Sequence, residues 1–301
     1  MKPTPTRAAL GISLVLGAVL MFAAQDTTSK HLSLVLPIPF ILWARYVVNF
    51  MLIIITFGPR HGLAMVKTDR TGLVMLRGVA LALSSMCAVF ALHHMPVAET
   101  TAIIYLAPFG VMMLSGPLLG ERVRLVGWIA TGLGFIGLLL ITRPGSGLSQ
   151  WGIVFGICTA IGTMIYHVMS RLLARTETTM ALLFHACWVG AVMFAAMLPW
   201  NWPSAMPQGL DAVLLIGMGF LAMLGHSMFT AAYREAPISL LMPINYAQLI
   251  FAALLGWLIF NHIPDGLTMA GIIIVAASGA GNAIWTHFSR LPVQVIEPEE
   301  V

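Results

Sequence analysis

Read for hydrophobicity alone, the chain is a series of long apolar runs separated by short polar breaks. Ten runs reach the roughly 20 residues that a helix needs to cross the hydrocarbon of a bilayer. They cover about 8–31, 37–58, 72–93, 97–119, 124–142, 150–172, 179–199, 210–233, 238–260 and 267–287. The breaks carry turn formers, among them GPRHG, HHMP, TRPGSG, PWNWPSAMP and NHIPDG. The pattern predicts an all-α integral membrane protein with ten transmembrane helices. The first run follows Lys2 and Arg7, as a signal peptide would. Its apolar part is long, however, and no good small-residue cleavage site follows, so it reads as a retained span.

Composition agrees with this reading. Hydrophobic residues make up 59% of the 301 and charged residues 9%, against about 25% charged in soluble domains. No Lys/Arg cluster of the kind that binds nucleic acid is present. The position of the charges is more informative than their sum. One set of helix ends holds Lys2, Arg7, Arg60, Lys67, Arg70, Arg77, Arg122, Arg124, Arg171, Arg175, Arg234 and Arg290, and the other holds Lys30 and Arg143. The positive-inside rule then places both termini in the cytoplasm of a bacterial-type inner (plasma) membrane. The tail QVIEPEEV is acidic and reads as disordered. Cys87, Cys158 and Cys187 lie inside apolar runs without CxxC spacing, as small buried side chains do, and indicate neither disulfide nor metal.

The two halves echo each other. Residues 91–123 align without gaps on 231–263, sharing a polar helix end that leads through Pro96 or Pro237 into a span closing on a Gly-containing segment. Five spans per half is an odd number, so a second copy must enter from the opposite face. The expectation is an inverted repeat around a central cavity, as in secondary transporters. On MPVAETTAIIYLAPFGVMMLSGPLLGERV, EAPISLLMPINYAQLIFAALLGWLIF, AQDTTSKHLS and LWARYVV, the chain resembles the drug/metabolite transporter superfamily with two EamA-type repeats. The resemblance implies a first repeat over 8–143, a second over 149–287 and a tail over 288–301. It also implies alternating access for a small organic solute. One departure is the acid that closes the fourth span, present as Glu121 but replaced by Asn261 at the matching position. AQDTTSKHLS and APISLLMPINYAQL look most like bacterial carriers of vitamins such as riboflavin or of adenosyl-type metabolites, or like exporters of amino acids and amino-acid-derived metallophores.

Polar residues inside a membrane face one another or a wet cavity. Phe22, Gln25, Asp26, Ser29 and Lys30 share one helix face, on which Asp26 and Lys30 can pair. Arg45 lies eight residues into the next span, ~12 Å deep at 1.5 Å per residue, near the depth of Asp26. We expect Asp26 to neutralise it, with Lys30 nearer the external mouth. The three form either a gate or a pair that only locks two helices. Stripes at helical spacing occur at Thr163, Tyr166, His167 and Ser170 and at His226, Phe229, Thr230 and Tyr233. Tyr105 aligns with Asn245, which shares a face with Gln248 and neighbours Tyr246. Gln25, Asp26, Arg45, Tyr105, Tyr166, His167, His226, Tyr233, Asn245, Tyr246 and Gln248 are therefore the cavity candidates, although bonding between helices accounts for many of them equally well. Glu99 is expected to serve the N-terminus of its helix.

Other motifs carry no chemistry. GLGFIG matches GxGxxG but lies within an apolar span, where close helix packing is the better account. No cofactor is called for. The scattered methionines and histidines lack ligand spacing, and the absence of a nucleophile–base pair, zinc motif or Walker sequence argues against an enzyme. The expected function is secondary transport of a vitamin-, nucleoside- or amino-acid-like solute. Protons or a second solute are possible coupling partners. A solute channel is the alternative of another class, although it would want a continuous polar ring.

Overall fold

The computed structural model describes residues 5–111, 113, 125–143, 145, 147–173, 176–235 and 241–288. These are helical and include no strand. The helices are α1 (Pro5–Ser33), α2 (Ile38–His61), α3 (Thr71–His94), α4 (Val97–Ile104), α5 (Leu125–Thr142), α6 (Gln150–Leu173), α7 (Thr179–Ala195), α8 (Leu210–Glu235), α9 (Ala247–Phe260) and α10 (Gly266–Phe288). Seven segments are long and apolar enough to cross a membrane: Ala9–Ser33, Ile38–Arg60, Thr71–His94, Leu125–Thr142, Gln150–Ser170, Thr179–Trp200 and Leu210–Phe229. Val97–Val111, Ile244–Phe260 and Gly266–Asn282 are shorter apolar helices. They coincide with the expected fourth, ninth and tenth spans. The end of the fourth span, the start of the ninth, Glu121, Pro237 and most of the tail lie outside the described residues.

Local chemistry sets the helix ends. Pro37 and Pro96 start α2 and α4, where a missing N–H costs nothing. Thr178 caps α7 by accepting from the backbone N–H of Ala181 at 3.2 Å. Asn261 ends α9 in the left-handed region at φ 52°, which asparagine tolerates better than most residues.

Two of the shorter helices are interrupted. α4 breaks at Tyr105–Leu106 and resumes over 107–111, while a 3₁₀ turn over Met242–Tyr246 precedes α9. A proline supplies the reason in each case. Pro108 and Pro243 lack the N–H that would bond one turn back, so the helical ladder fails just before each of them.

Packing runs almost wholly between the two halves of the chain. α1 lies on α8 and α9, α3 on α6 and α7, α2 on α7 and α8, α4 on α6 and α9, and α5 on α10. At the α5–α10 contact, a Cβ on Gly137 would come 2.8 Å from the carbonyl oxygen of Gly271. One on Gly271 would come 2.6 Å from that of Gly137. Gly134 receives the Phe109 ring. Two glycines of GLGFIG are thus contact points between elements. The outer faces remain apolar, with Leu125 74%, Ile55 70% and Leu139 62% exposed. Such a surface suits hydrocarbon rather than water.

Candidate functional site: a one-sided cavity

A cavity of about 500 Å³ lies between α1, α2, α3, α6, α7 and α8, within the ~300–1,000 Å³ of small-molecule sites. α2 supplies Arg45, Asn49, Ile53 and Phe57, one residue per turn along a single stripe. α8 adds Ala222, Met223, His226, Ser227 and Ala231, and α7 adds Thr179, Met180, Leu183, Ala186 and Cys187. Gln25, Tyr46, Leu81, Ser85 and Tyr166 complete the wall.

The floor is held rigidly. The Arg45 guanidinium stands 5.1 Å from the centre of the Tyr46 ring, a cation–π distance. The Tyr46 hydroxyl meets Ser85 Oγ at 3.0 Å. Tyr166 is fixed from behind by Arg77, a buried residue of α3. Arg77 Nη2 donates to the Tyr166 hydroxyl at 2.8 Å, Nε to Ser170 Oγ at 2.7 Å and Nη1 to the Leu182 carbonyl at 3.0 Å.

The cavity is one-sided. Its lining reaches the helix ends at Phe57 and Thr179 but takes nothing from the last turns of α1 or α3 or the first turns of α2. Those elements close the opposite end. Lys30 Nζ donates to the Leu92 and Met95 carbonyls at 2.7 and 2.6 Å, a cation on the carbonyl end of α3. Glu99, 2% exposed, meets His262 Nε2 through Oε1 at 2.8 Å. Its Oε2 is buried with no hydrogen-bond partner among the described residues. His93 contacts the Ser33 carbonyl at 2.9 Å, and His31 contacts Asp211 at 3.0 Å.

The sequence profile of the EamA-like transporter family matches residues 9–143 and again 150–281. The chain belongs to that family. Relatives agree over nearly the whole length. The pseudopaline exporter CntI of Pseudomonas aeruginosa is 29% identical over 274 residues, covering 89% of this chain and 94% of its own. The S-adenosylmethionine uptake transporter of Rickettsia felis is 24% identical, covering 88% and 89%. The riboflavin transporter of Rhizobium johnstonii is 26% identical, covering 91% of each chain. A crystal structure whose title names no function superposes with a TM-score of 0.63 at 21% identity, over 95% of this chain and 98% of that one, and so shares the fold. The protein is therefore a multi-pass membrane transporter and not an enzyme.

In this EamA-family chain the eleven candidates do not converge on one site. Gln25, Arg45, Tyr166 and His226 line the cavity. Asp26, Tyr105 and Gln248 form a separate relay between α1, α4 and α9. In it the Tyr105 hydroxyl donates to Gln248 Oε1 (3.0 Å) and the Asn245 carbonyl (2.9 Å), and Gln248 Nε2 donates to Asp26 Oδ2 (3.2 Å). Tyr246 joins through its ring, 5.2 Å from that of Tyr105. His167 is exposed and is not part of the lining. The side chain of Tyr233 lies outside the described residues.

Two expected pairings are replaced. Asp26 and Arg45 are within electrostatic reach but form no ion pair, because Asp26 accepts from Gln248 and Arg45 stands on Tyr46. Asp26 does not pair with Lys30 either, since the carbonyls of α3 take the ammonium. Glu99 sits in the first turn of α4, as expected, and its partner is His262. The sequence reading also missed Asn49 and Arg77. Asn49 had a signal, lying one turn from Arg45 on the same face. Arg77 had been counted with the loop arginines.

Proposed function

We propose that this transporter moves a small organic metabolite across the inner membrane by alternating access, with the cavity open to the cytoplasm and the Lys30 end closed. The observation that carries this reading is the asymmetry. A largely apolar cavity with a few polar groups in its wall reaches one end of the bundle, while hydrogen bonds from α1, α3, α4 and the loop after α9 seal the other. The Arg60 and Arg70 helix ends lie on the open side, and by the positive-inside rule that side is cytoplasmic.

Two repeats, 8–143 and 149–287, related by an axis in the membrane plane, support the mechanism. If each of α1–α5 is exchanged for its counterpart in α6–α10, the pair α1–α8 becomes α6–α3 and α3–α7 becomes α8–α2. Likewise α1–α9 becomes α6–α4, and α2–α7, α4–α9 and α5–α10 map on themselves. All of these contacts are present. Breaks at Tyr105–Leu106 and Met242–Tyr246 fall at matching positions, as interrupted helices do in repeat-built transporters. In this reading the ten helical segments are ten spans with both termini cytoplasmic.

The solute is vitamin-, nucleoside- or amino-acid-like. Export of an amino-acid-derived metallophore is the second reading, favoured by the similarity to the pseudopaline exporter. Counterflow in proteoliposomes tests the class. Labelled riboflavin, S-adenosylmethionine and amino acids are presented outside vesicles loaded with the same unlabelled solute. A carrier accumulates label transiently and saturates, whereas linear flux without trans-stimulation would identify a channel. An imposed pH gradient in the same vesicles reads proton coupling.

A further inference from the structure

Arg45 is the one Lys, Arg, Asp or Glu among the described cavity-lining residues. No described acid lies within ion-pair distance of it. Asp26 is within electrostatic reach of Arg45 but accepts from Gln248 and makes no direct contact with the guanidinium, and Glu99 contacts His262 at the closed end. Behind the same wall, Arg77 holds Tyr166 and adds a second positive charge, its acceptors among the described residues being neutral. Among the described residues, the ionic group that the cavity wall presents to a solute is thus a planar guanidinium stacked on a ring that Ser85 fixes in turn. A guanidinium so placed matches the two oxygens of a carboxylate. Ile53, Phe57, Leu81, Met180, Leu183 and Met223 provide an apolar enclosure for the rest of a solute.

We propose that the cavity selects monoanionic solutes, a carboxylate on an apolar or aromatic body, with Arg45 as the residue that binds the carboxylate. This rests on the transporter reading and names its substrate class. A phosphate monoester, at about −1.5 to −2, would leave surplus negative charge opposite one guanidinium. A cation would meet Arg45 with no acid among the described lining residues to receive it.

The test uses the full chain in nanodiscs, with Cys87, Cys158 and Cys187 replaced by alanine and Ser227→Cys, in the cavity wall, as reporter. Modification by methyl methanethiosulfonate is followed by mass spectrometry in the presence of 1-naphthoate, 1-naphthamide, 1-naphthylmethylamine or 1-naphthyl phosphate, four probes alike in ring and different in charge. Naphthoate is expected to slow modification at least about fivefold at concentrations where the others do little. Arg45→Gln should weaken that protection about tenfold or more, as loss of a charge-assisted bidentate contact does. Arg45→Lys, which keeps the charge, should retain part of it and so serves as the folding control.

Equal protection by the amide, stronger protection by the amine or the phosphate, no protection by naphthoate, or protection that survives Arg45→Gln would each overturn the assignment. A reporter thiol that no reagent reaches would instead remove the open cavity, and with it the proposed cytoplasm-open transport reading. Counterflow of a neutral or cationic solute through an otherwise intact protein would leave the transporter reading standing and end this one.

Discussion

The guanidinium of Arg77 is buried with no acid against it among the described residues, and its cost is met by three neutral acceptors on α6 and α7. Removing it strands those acceptors, so Arg77→Met should lower stability by about 2–4 kcal/mol, read as a fall in unfolding temperature in detergent. Arg77→Lys should recover only part, because an ammonium cannot make the forked contacts. Outside the spans, Asp265 accepts from the Thr268 backbone N–H and from Arg143, and these hold its carboxyl below the ordinary carboxylate value. A carboxyl depressed in the folded state contributes stability above that ordinary value and loses it as pH falls toward the folded value. Unfolding temperature should therefore drop below about pH 4, and Asp265→Asn should flatten that drop. His185 is another buried anchor. The Trp188 indole N–H can only donate, and it meets Nδ1 at 2.7 Å, so Nε2 carries the proton and donates to the Val66 carbonyl. At this scale the sequence was partly legible. Gln25 and Arg45 announced themselves by being polar amid oil. Arg77 did not, because its position six residues into a helix looks like a loop residue until the partners on α6 and α7 are known.

The apolar runs located the helices well, because desolvation cost leaves a helix little choice in such surroundings. Where the helices break was encoded too, in Pro108 and Pro243, but a hydropathy window averages over a proline. The pairing of elements was less legible, since stripes on α6 and α8 identify a face and not the neighbour it meets. Phe229 and His226 of the α8 stripe both pack on Phe22, at 6.3 and 5.0 Å between ring centres, and His226 also lines the cavity. Contact between α5 and α10 depends on two backbones passing with no side chain between them. Gly137→Leu or Gly271→Leu should overpack that crossing and destabilise by about 1–3 kcal/mol, measured by denaturant or thermal unfolding in detergent. Gly132, with nothing within 4 Å of a built Cβ, is the matched control and should accept Ala with little change.

For the molecule as a whole, the closed end is the part that the proposed alternating access has to open, and Glu99 with His262 bridges it. A disulfide between Glu99→Cys and His262→Cys should hold that end shut, abolish counterflow, and release it on reduction. Flux that persists through the oxidised form would mean that the Lys30 end does not open during transport. Two halves of five apolar runs each were legible in the sequence. Their interleaving was not, because periodicity within one segment carries no information on the segment it will meet. That interleaving has a cost during synthesis. The principal partners of α1–α5 are all supplied by later residues, so a ribosome adding about 5–20 residues per second leaves the leading half without its counterparts for several seconds or longer. During that wait its polar face is open to lipid, to other nascent chains or to an insertase, so a message truncated near residue 145 should yield a product that quality-control proteases remove.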